Sequence, residues 1–146
     1  MVPTARSLRI DADLGALAEV RGFIRLAAAE AEAPVSCLED LVQAVDEAAT
    51  NTIVHGYDGA PGWLEVSAEM DGPSFVVHLE DAAPEYDPTD VPEPDLSVPP
   101  MDRTPGGMGV HLIRACTDTM TYRPRPGGGN ILTLARRIRP SPEEEA

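Results

Sequence analysis

Residues 47–57 read EAATNTIVHGY and form the end of a predicted helix. The helix is predicted to run from about residue 36 to His55, because Gly56 is the residue type that most often follows a helix end. Glu47 and Asn51 lie four residues apart, so they share one face of this helix. Another face has an apolar stripe, which consists of Leu38, Leu41, Val42, Val45, Ala48, Ala49 and Thr52.

The face of Glu47 and Asn51 has two interpretations. Periodicity places it roughly opposite the apolar stripe, which is typical of a helix face in contact with water. The functional interpretation is a carboxylate base beside an amide oxygen. A base must lie within hydrogen-bond reach of the proton that it takes, and an amide oxygen is a hard ligand that suits Mg²⁺.

Outward from this stretch, the sequence pattern predicts strands and two more helices. The predicted order is a strand at residues 7–10, a helix from an N-cap at Asp13 to about residue 31, the helix already described, a hairpin at residues 63–70 and 75–79, a loop at residues 82–105, a helix at about residues 110–117, and a hairpin at residues 120–125 and 131–138. Ser36 and Glu39 have the spacing of a capping box. Antiparallel hairpins with helices to one side indicate a two-layer α+β sandwich, in one domain at residues 1–139.

The basic residues are all arginine: the chain of 146 residues has 11 of them and no lysine, against 25 acidic residues. A P-loop uses a lysine on the phosphates, a Schiff-base enzyme uses a lysine amine, and kinases of the glycine-loop type use a lysine on a strand. The sequence therefore excludes these three chemistries. Arg103 and Arg114 stay as candidates for contacts with a charged ligand.

The net charge of −14 disfavours nucleic acid and anionic membranes as partners, since both are bound through clustered cations. Residues 140–146 contain part of the acidic charge, and we expect them to form a disordered tail. The sequence shows neither a membrane span nor the apolar core of a signal peptide. Two cysteines far apart in sequence, Cys37 and Cys116, fit the reducing cytoplasm, which is the predicted location.

Two further stretches carry polar or glycine residues beside predicted elements. Asp81 ends a hydrophobic strand, and it is either an ordinary turn aspartate or a buried carboxylate that accepts from an exocyclic amine. Gly106, Gly107 and Gly109 precede a helix, which is typical either of a flexible linker or of a phosphate site at a helix N-terminus. The three histidines have no metal-ligand spacing. Of these, His55 either caps its helix or lines a site.

Taken in order, these motifs resemble those of the histidine-kinase-like ATPases, and in particular the small bacterial anti-sigma-factor serine/threonine kinases. Residues 47–57 resemble the E-A-x-x-N-x-x-x-H-G-Y box of that family, residues 80–88 its D-x-G-x-x-F-D-P box, and residues 106–114 its G-G-x-G-x-x-L-I-R box. Gly129 and Asn130 match the position of a terminal G-T or G-N pair. The resemblance covers nearly the whole chain.

The resemblance implies a Bergerat ATP-binding fold, with helices on one face of a mixed, mostly antiparallel sheet. It implies ATP and Mg²⁺ as cofactors. Glu47 is then the general base on an incoming serine or threonine hydroxyl, Asn51 the ligand of Mg²⁺, and Asp81 the acceptor for the adenine amine. The positions that it implies for nucleotide binding are Asn51, Asp81, Ala83, Tyr86, Gly107, Met108, Gly109, Val110 and Asn130.

Residues 82–105 correspond to the ATP lid of the family, and their seven prolines indicate a stiff lid. Two residues depart from the family pattern: Ala83 replaces a glycine and Tyr86 replaces a phenylalanine. The Ala83 methyl adds bulk near the expected adenine edge and restricts φ, so we expect it to weaken nucleotide binding slightly.

The implied activity is transfer of the γ-phosphoryl group of ATP to an anti-sigma-factor antagonist, together with sequestration of a sigma factor. The implied partners are these two proteins and a second copy of the chain in a homodimer, with no nucleic acid and no membrane. The alternative is a nucleotide-binding regulatory module that binds partner proteins without phosphotransfer. A histidine kinase fragment is less favoured, since the sequence shows no dimerisation helix with a phosphoacceptor histidine.

Overall fold

The structure, a computed structural model, describes residues 6–99, 101 and 107–140. In this part of the chain, five strands and three helices follow the order β1, α1, α2, β2, β3, α3, β4, β5. The strands are β1 (Arg6–Asp11), β2 (Trp63–Asp71), β3 (Ser74–Asp81), β4 (Thr119–Pro124) and β5 (Asn130–Arg137), and the helices are α1 (Leu17–Glu30), α2 (Val35–Asn51) and α3 (Gly107–Cys116). Short helical turns occupy Leu14–Ala16, Thr52–Gly56 and Pro88–Asp90.

The strands form one sheet in the order β1-β2-β3-β5-β4, and each neighbouring pair is antiparallel. The predicted two-layer α+β fold is confirmed, although the described strands form an antiparallel sheet rather than a mixed one. Strand pairing places Asp81 opposite Leu64 on one side and opposite Asn130 on the other. Two polar residues that are far apart in sequence therefore meet at the end of the central strand.

The core lies between one face of the sheet and the helices. Alternate residues of β2 face the helices, so Leu64, Val66 and Ala68 are buried while Glu65 and Ser67 between them are partly exposed. The helices supply a matching apolar surface, which includes Val20, Ile24 and Ala28 of α1 and Leu41, Val45 and Ala49 of α2. Burial of these side chains is the main term that holds α2 against the sheet.

The predicted capping box at the start of the second helix is wrong. The helix begins at Val35, directly after Pro34, and no side chain of the N-cap residue bonds to its first turn. Proline suits this position because its fixed φ leads the chain into a helix, and the Pro34 carbonyl accepts from Leu38 N at 2.9 Å. Ser36 and Glu39 therefore lie two positions too far into the helix to form the box.

Other boundaries agree more closely with the prediction. The Asp13 side chain accepts from Gly15 N at 3.2 Å and caps the short turn that leads into α1. α3 begins at Gly107, three residues before the predicted start. Gly106, Arg103 and the tail residues 141–146 lie outside the described residues. None of the helices in the described ranges is long and apolar enough to cross a membrane.

Candidate functional site

A cavity of about 460 Å³ opens where the C-terminal end of α2 meets the ends of β3 and β5. This volume is in the range of small-molecule sites. The lining residues come from both layers of the fold; they are Ala48, Asn51, Thr52, His55, Gly56, Leu79, Asp81, Ala83, Pro84, Glu85, Tyr86, Pro88, Ile113, Tyr122, Asn130 and Leu132. The chain after β3 forms one side of the cavity, and we call residues 82–86 the wall segment and residues 87–99 the distal segment.

Asp81 is a buried carboxylate at the end of the central strand, with only 4% of its surface exposed. Its Oδ1 accepts from Asn130 Nδ2 at 2.8 Å and from Ala83 N at 2.9 Å, while its Oδ2 accepts from the Thr52 hydroxyl at 3.3 Å. Burial raises the pKa of Asp81 above its ordinary value, and the three hydrogen bonds partly offset that increase. The cavity therefore contains a carboxylate that is held in one orientation.

Asn130 connects β5 to the wall segment. Its Nδ2 donates to Asp81 Oδ1, to the Pro84 carbonyl at 3.1 Å and, at a longer 3.4 Å, to the Ala83 carbonyl. Its Oδ1 accepts from Tyr86 N at 2.9 Å and from the Tyr122 hydroxyl at 2.7 Å. One buried side chain thus satisfies backbone groups of a segment that has no regular structure of its own.

Tyr57 holds the wall segment from the side of α2. Its hydroxyl donates to the Trp63 carbonyl at 2.6 Å and accepts from Ala82 N at 2.9 Å and from Trp63 N at 3.3 Å. Gly62 leaves room for the ring, because a Cβ at that residue would lie 2.1 Å from Tyr57 Cε1. The turn after α2, the start of β2 and the start of the wall segment therefore meet at one phenol oxygen.

The Trp63 ring stacks between two arginines at the same end of the sheet. The guanidinium carbon of Arg9 lies 4.2 Å from the ring centroid, and that of Arg125 lies 4.9 Å from it. Arg125 Nε also donates to Glu80 Oε2 at 2.9 Å. These cation–π and ionic contacts tie β1, β2, β3 and the turn after β4 together at this end of the sheet.

Glu47 and Asn51 face the start of α3 rather than open water. A Cβ placed on Gly109 would lie 3.3 Å from Glu47 Oε2 and 3.5 Å from both Nδ2 and Oδ1 of Asn51. Both side chains are half-buried, and neither makes a hydrogen bond or ion pair with a residue in the described ranges. The solvated-face interpretation is therefore wrong, since α3 covers this face, and glycine at position 109 permits the close approach.

The distal segment is attached to α3 through exposed charges. Glu93 pairs with His111 Nδ1 at 2.8 Å and with Arg114 Nη1 at 3.5 Å. Arg114 Nη2 also donates to the carbonyls of Thr89 at 3.1 Å and Pro88 at 3.4 Å. Arg114 thus binds the segment between β3 and α3, and its contact with a charged ligand stays a prediction.

The structure gathers five of the predicted nucleotide-binding residues at the cavity; these are Asn51, Asp81, Ala83, Tyr86 and Asn130. The other four, Gly107, Met108, Gly109 and Val110, form the first turn of α3. Glu47 lies one turn before Asn51, outside the cavity lining but against Gly109. His55 does line the cavity, as one of its two predicted roles required.

The Ala83 methyl has an identifiable neighbour. A Cβ on Gly56 would lie 3.2 Å from Ala83 Cβ, and Ala83 is 2% exposed. Among the described residues other than glycine, positive φ occurs at Glu32 and Asp58, so the Ala83 backbone does not need the freedom of glycine. The methyl of Ala83 therefore packs toward Gly56, in the turn after α2.

Sequence reasoning missed two residues that hold the buried carboxylate. Thr52 belongs to the predicted apolar stripe of α2, yet its hydroxyl donates to Asp81. Tyr122 lies on β4 and donates to Asn130, and a lone tyrosine in a hairpin strand carries no local signal for this role. Its pKa is raised, mainly by burial, so the hydroxyl keeps the proton that it donates.

Comparisons with known proteins identify a family for this chain. A family model described as the histidine kinase-like ATPase domain matches residues 10–136. The chain is 31% identical over 101 residues to the serine/threonine-protein kinase BtrW of Bordetella bronchiseptica, which covers 68% of this chain and 70% of that protein. It is 23% identical over 118 residues to an anti-sigma F factor of Thermoanaerobacter sp. (strain X514), covering 81% and 82% of the two chains.

The fold is also similar to a solved structure, that of the RsbU and RsbW domains of Rv1364c from Mycobacterium tuberculosis. The TM-score is 0.66 at 21% identity, and the match covers 95% of this chain but 33% of that one. At this identity the likeness concerns the fold alone. The family model covers most of the chain and includes the elements around the cavity, so the chain belongs to the histidine kinase-like ATPase domain family.

Proposed function

We propose that the chain is a Mg²⁺-dependent protein serine/threonine kinase that transfers the γ-phosphoryl group of ATP to a partner protein. The observation that supports this most directly is the meeting of Glu47, Asn51 and Gly109 beside the cavity. A carboxylate that forms no ion pair with a described residue, an amide oxygen and a close backbone approach lie together there. Phosphoryl transfer needs mainly positioning and charge stabilisation, and these groups can supply both.

Glu47 is the general base in this proposal. Its carboxylate takes the proton of the serine or threonine hydroxyl while the hydroxyl oxygen forms a bond to the γ-phosphorus. The bond between that phosphorus and the bridging oxygen of ADP breaks in the same displacement. The products are a phosphoprotein, ADP and a proton on Glu47, which then passes to water.

The donor groups near the cavity fit Mg²⁺ held together with a nucleotide. No group of three or more His, Cys, Asp or Glu side chains able to hold a metal occurs in the described ranges. A nucleotide-bound Mg²⁺ needs few protein ligands, because phosphates and water complete its coordination. The Asn51 amide oxygen would hold the ion, and the ion would neutralise charge on the phosphates.

The two ends of the nucleotide are assigned to different parts of the chain. We place the adenine amine at Asp81, the buried acceptor of the cavity, with Ala83 and Tyr86 of the wall segment beside the base. We place the phosphates at the first turn of α3, which includes Gly107, Met108, Gly109 and Val110. The first backbone N–H groups of a helix have no partner within it, and they favour anions.

The partners are proposed from the names of the relatives. Relatives named anti-sigma F factor support a sigma factor as one partner and an anti-sigma-factor antagonist as the phosphorylated one. We further propose a homodimer that acts in the cytoplasm, with one ATP-binding domain at residues 1–139 and an acidic tail at residues 140–146.

The experiment is phosphotransfer with γ-labelled ATP, Mg²⁺ and the antagonist-type protein encoded nearest to this chain's gene. We expect Glu47→Gln to lower the rate by about 10²- to 10⁴-fold, the usual contribution of a general base. Thermal stabilisation by ATP and Mg²⁺ should persist in this variant. The matched control is Glu19→Gln, because Glu19 is an exposed glutamate on α1.

The outcomes separate the proposed kinase from the alternative regulatory module. Full activity in Glu47→Gln would mean that the base is assigned wrongly. Stabilisation by ATP without any phosphotransfer to a bound partner would favour the module that only binds. If neither ATP nor ADP raises the melting temperature of the wild-type chain, the nucleotide site itself is refuted.

A further inference from the structure

We infer that Asn130 is a positioning residue, which orients Asp81 toward an exocyclic amine and makes no hydrogen bond to the nucleotide itself. The inference rests on the proposed function, in which Asp81 accepts from the adenine amine. It assigns to Asn130 a role different from the direct nucleotide contact that its place in the terminal motif implies.

The first support is the hydrogen-bond inventory of the Asn130 amide. A carboxamide offers two N–H donors and one oxygen with two acceptor positions. In this chain, Nδ2 is shared among one carboxylate oxygen and two backbone carbonyls, and Oδ1 accepts from one N–H and one hydroxyl. With 8% of its surface exposed and every position used, Asn130 has nothing left to offer a ligand.

The second support is that the two oxygens of the Asp81 carboxylate accept different numbers of hydrogen bonds. Oδ1 accepts two hydrogen bonds, from Asn130 at 2.8 Å and from Ala83 N at 2.9 Å. Oδ2 accepts one longer bond, from Thr52 at 3.3 Å. The oxygen with spare capacity is therefore Oδ2, and Asn130 fixes the rotation of the carboxyl group that determines which oxygen this is.

The third support is the backbone that brings Asn130 to Asp81. Gly129 has φ +119°, and a Cβ on it would lie 2.0 Å from the Asp81 carbonyl oxygen. The start of β5 thus approaches the end of β3 more closely than any residue with a side chain permits. The same approach allows Asn130 to form hydrogen bonds with Pro84 and Tyr86. One side chain therefore fixes both the orientation of the Asp81 carboxylate and the position of the wall segment.

The test compares two nucleotides that differ in the amine alone. Dissociation constants for ATP and for purine riboside 5′-triphosphate, which lacks the exocyclic amine, are measured in the wild type and in Asn130→Ser. We expect the wild type to prefer ATP. Asn130→Ser should weaken ATP binding about tenfold, the size of one hydrogen bond, and leave binding of the analogue within about twofold.

Two further variants distinguish a specific loss of the ATP preference from a general loss of folding. Asn130→Leu is close in shape but has no donor for Asp81, so it should also lose the preference for ATP. Leu134→Val is the control, because Leu134 is buried on the same strand, faces the core and lies outside the cavity lining. It should lower the melting temperature without changing the ratio of the two dissociation constants.

Each result decides between the inference and a simpler role. Equal weakening of both nucleotides in the Asn130 variants would overturn the inference, since it indicates direct contact or collapse of the wall segment. The inference would also be overturned if the ratio of the two dissociation constants were the same in the Asn130 variants as in the wild type. Asp81→Asn tests the proposed function separately from the role of Asn130. If this variant keeps the preference for ATP, or if the wild type has no preference, the assignment of the amine to Asp81 fails. If Asp81→Asn loses the preference while the Asn130 variants keep it, the positioning role alone is refuted.

Discussion

The wall segment and the distal segment are consecutive in the chain but are held by different kinds of interaction. The wall segment is fixed by partly buried hydrogen bonds, from Asn130 on one side and from the Tyr57 hydroxyl on the other. The distal segment is attached by contacts of Glu93, whose side chain is 62% exposed, with His111 and Arg114, and by bonds from Arg114 to two backbone carbonyls. Buried hydrogen bonds are costly to break, whereas exposed ion pairs contribute little free energy. The difference predicts that the distal segment around Glu93 opens more readily than the wall segment.

The largest effect is expected where β5 approaches the wall segment. Gly129→Ala places a methyl 2.0 Å from the Asp81 carbonyl oxygen, at a φ that alanine avoids. We expect it to lower the free energy of unfolding by at least about 4 kcal/mol. Gly128→Ala is the matched control, since Gly128 has φ +112° but no atom within 4 Å of a built Cβ.

Backbone strain alone should cost Gly128→Ala about 1–3 kcal/mol. Urea denaturation of both variants measures the difference. Equal losses in the two variants would show that the close approach of Gly129 to Asp81 contributes nothing to stability.

A smaller effect is expected at the other fixed point of the wall segment. Tyr57→Phe removes the hydroxyl that joins Trp63 to Ala82, and we expect a loss of about 1–2 kcal/mol. In Tyr86→Phe the loss should stay within about 0.5 kcal/mol, because Tyr86 is half exposed and its hydroxyl bonds to no described residue. Thermal and urea unfolding check both values, and equal effects would contradict the role of the Tyr57 hydroxyl.

The buried carboxylate predicts a pH dependence. Because burial raises the pKa of Asp81 above its ordinary value of 3.8, the folded chain binds this proton more tightly than the unfolded chain does. Ionisation of Asp81 therefore lowers stability as pH rises from 3.8 through the raised pKa, and the loss is complete above it. Each unit of pKa difference corresponds to about 1.4 kcal/mol.

Asp81→Asn removes this titration and keeps the shape of the side chain. The difference in unfolding free energy between the variant and the wild type should move in favour of the variant as pH rises through that interval. Urea denaturation at a series of pH values measures it, and the other carboxylates cancel in the difference. A difference that does not vary with pH would mean that the Asp81 pKa is not raised.

The smallest change in stability is expected in the distal segment. Glu93→Gln removes the exposed charge that contacts His111 and Arg114, so the global loss should be below about 0.5 kcal/mol. Hydrogen exchange at residues 88–93 should nevertheless become several-fold faster, because local opening needs little free energy there. Glu85→Gln in the wall segment is the control, and it should leave exchange in both segments unchanged. Unchanged exchange in Glu93→Gln would show that the ion pairs do not restrain the segment.

Local patterns predicted the elements of the fold well. The alternation of β2 predicted which of its residues are buried, and the spacing of Glu47 and Asn51 predicted that they share a face. The position of α3 against that face was not predictable from the period of α2, because it depends on a contact between elements far apart in sequence. Sequence motifs indicated Asp81 and Asn130 separately, but only the pairing of β3 with β5 reveals that they bond to each other.

Trp63 is the one tryptophan of the sequence, and its position has an optical consequence. The ring stacks on two guanidinium groups, while its backbone is joined through the Tyr57 hydroxyl to the first residue of the wall segment. Indole emission responds to nearby charges and to solvent, so a shift of this segment changes the signal of a single, known fluorophore. The unmodified chain therefore contains its own spectroscopic reporter at this end of the sheet, which can be tested in nucleotide titrations without any label.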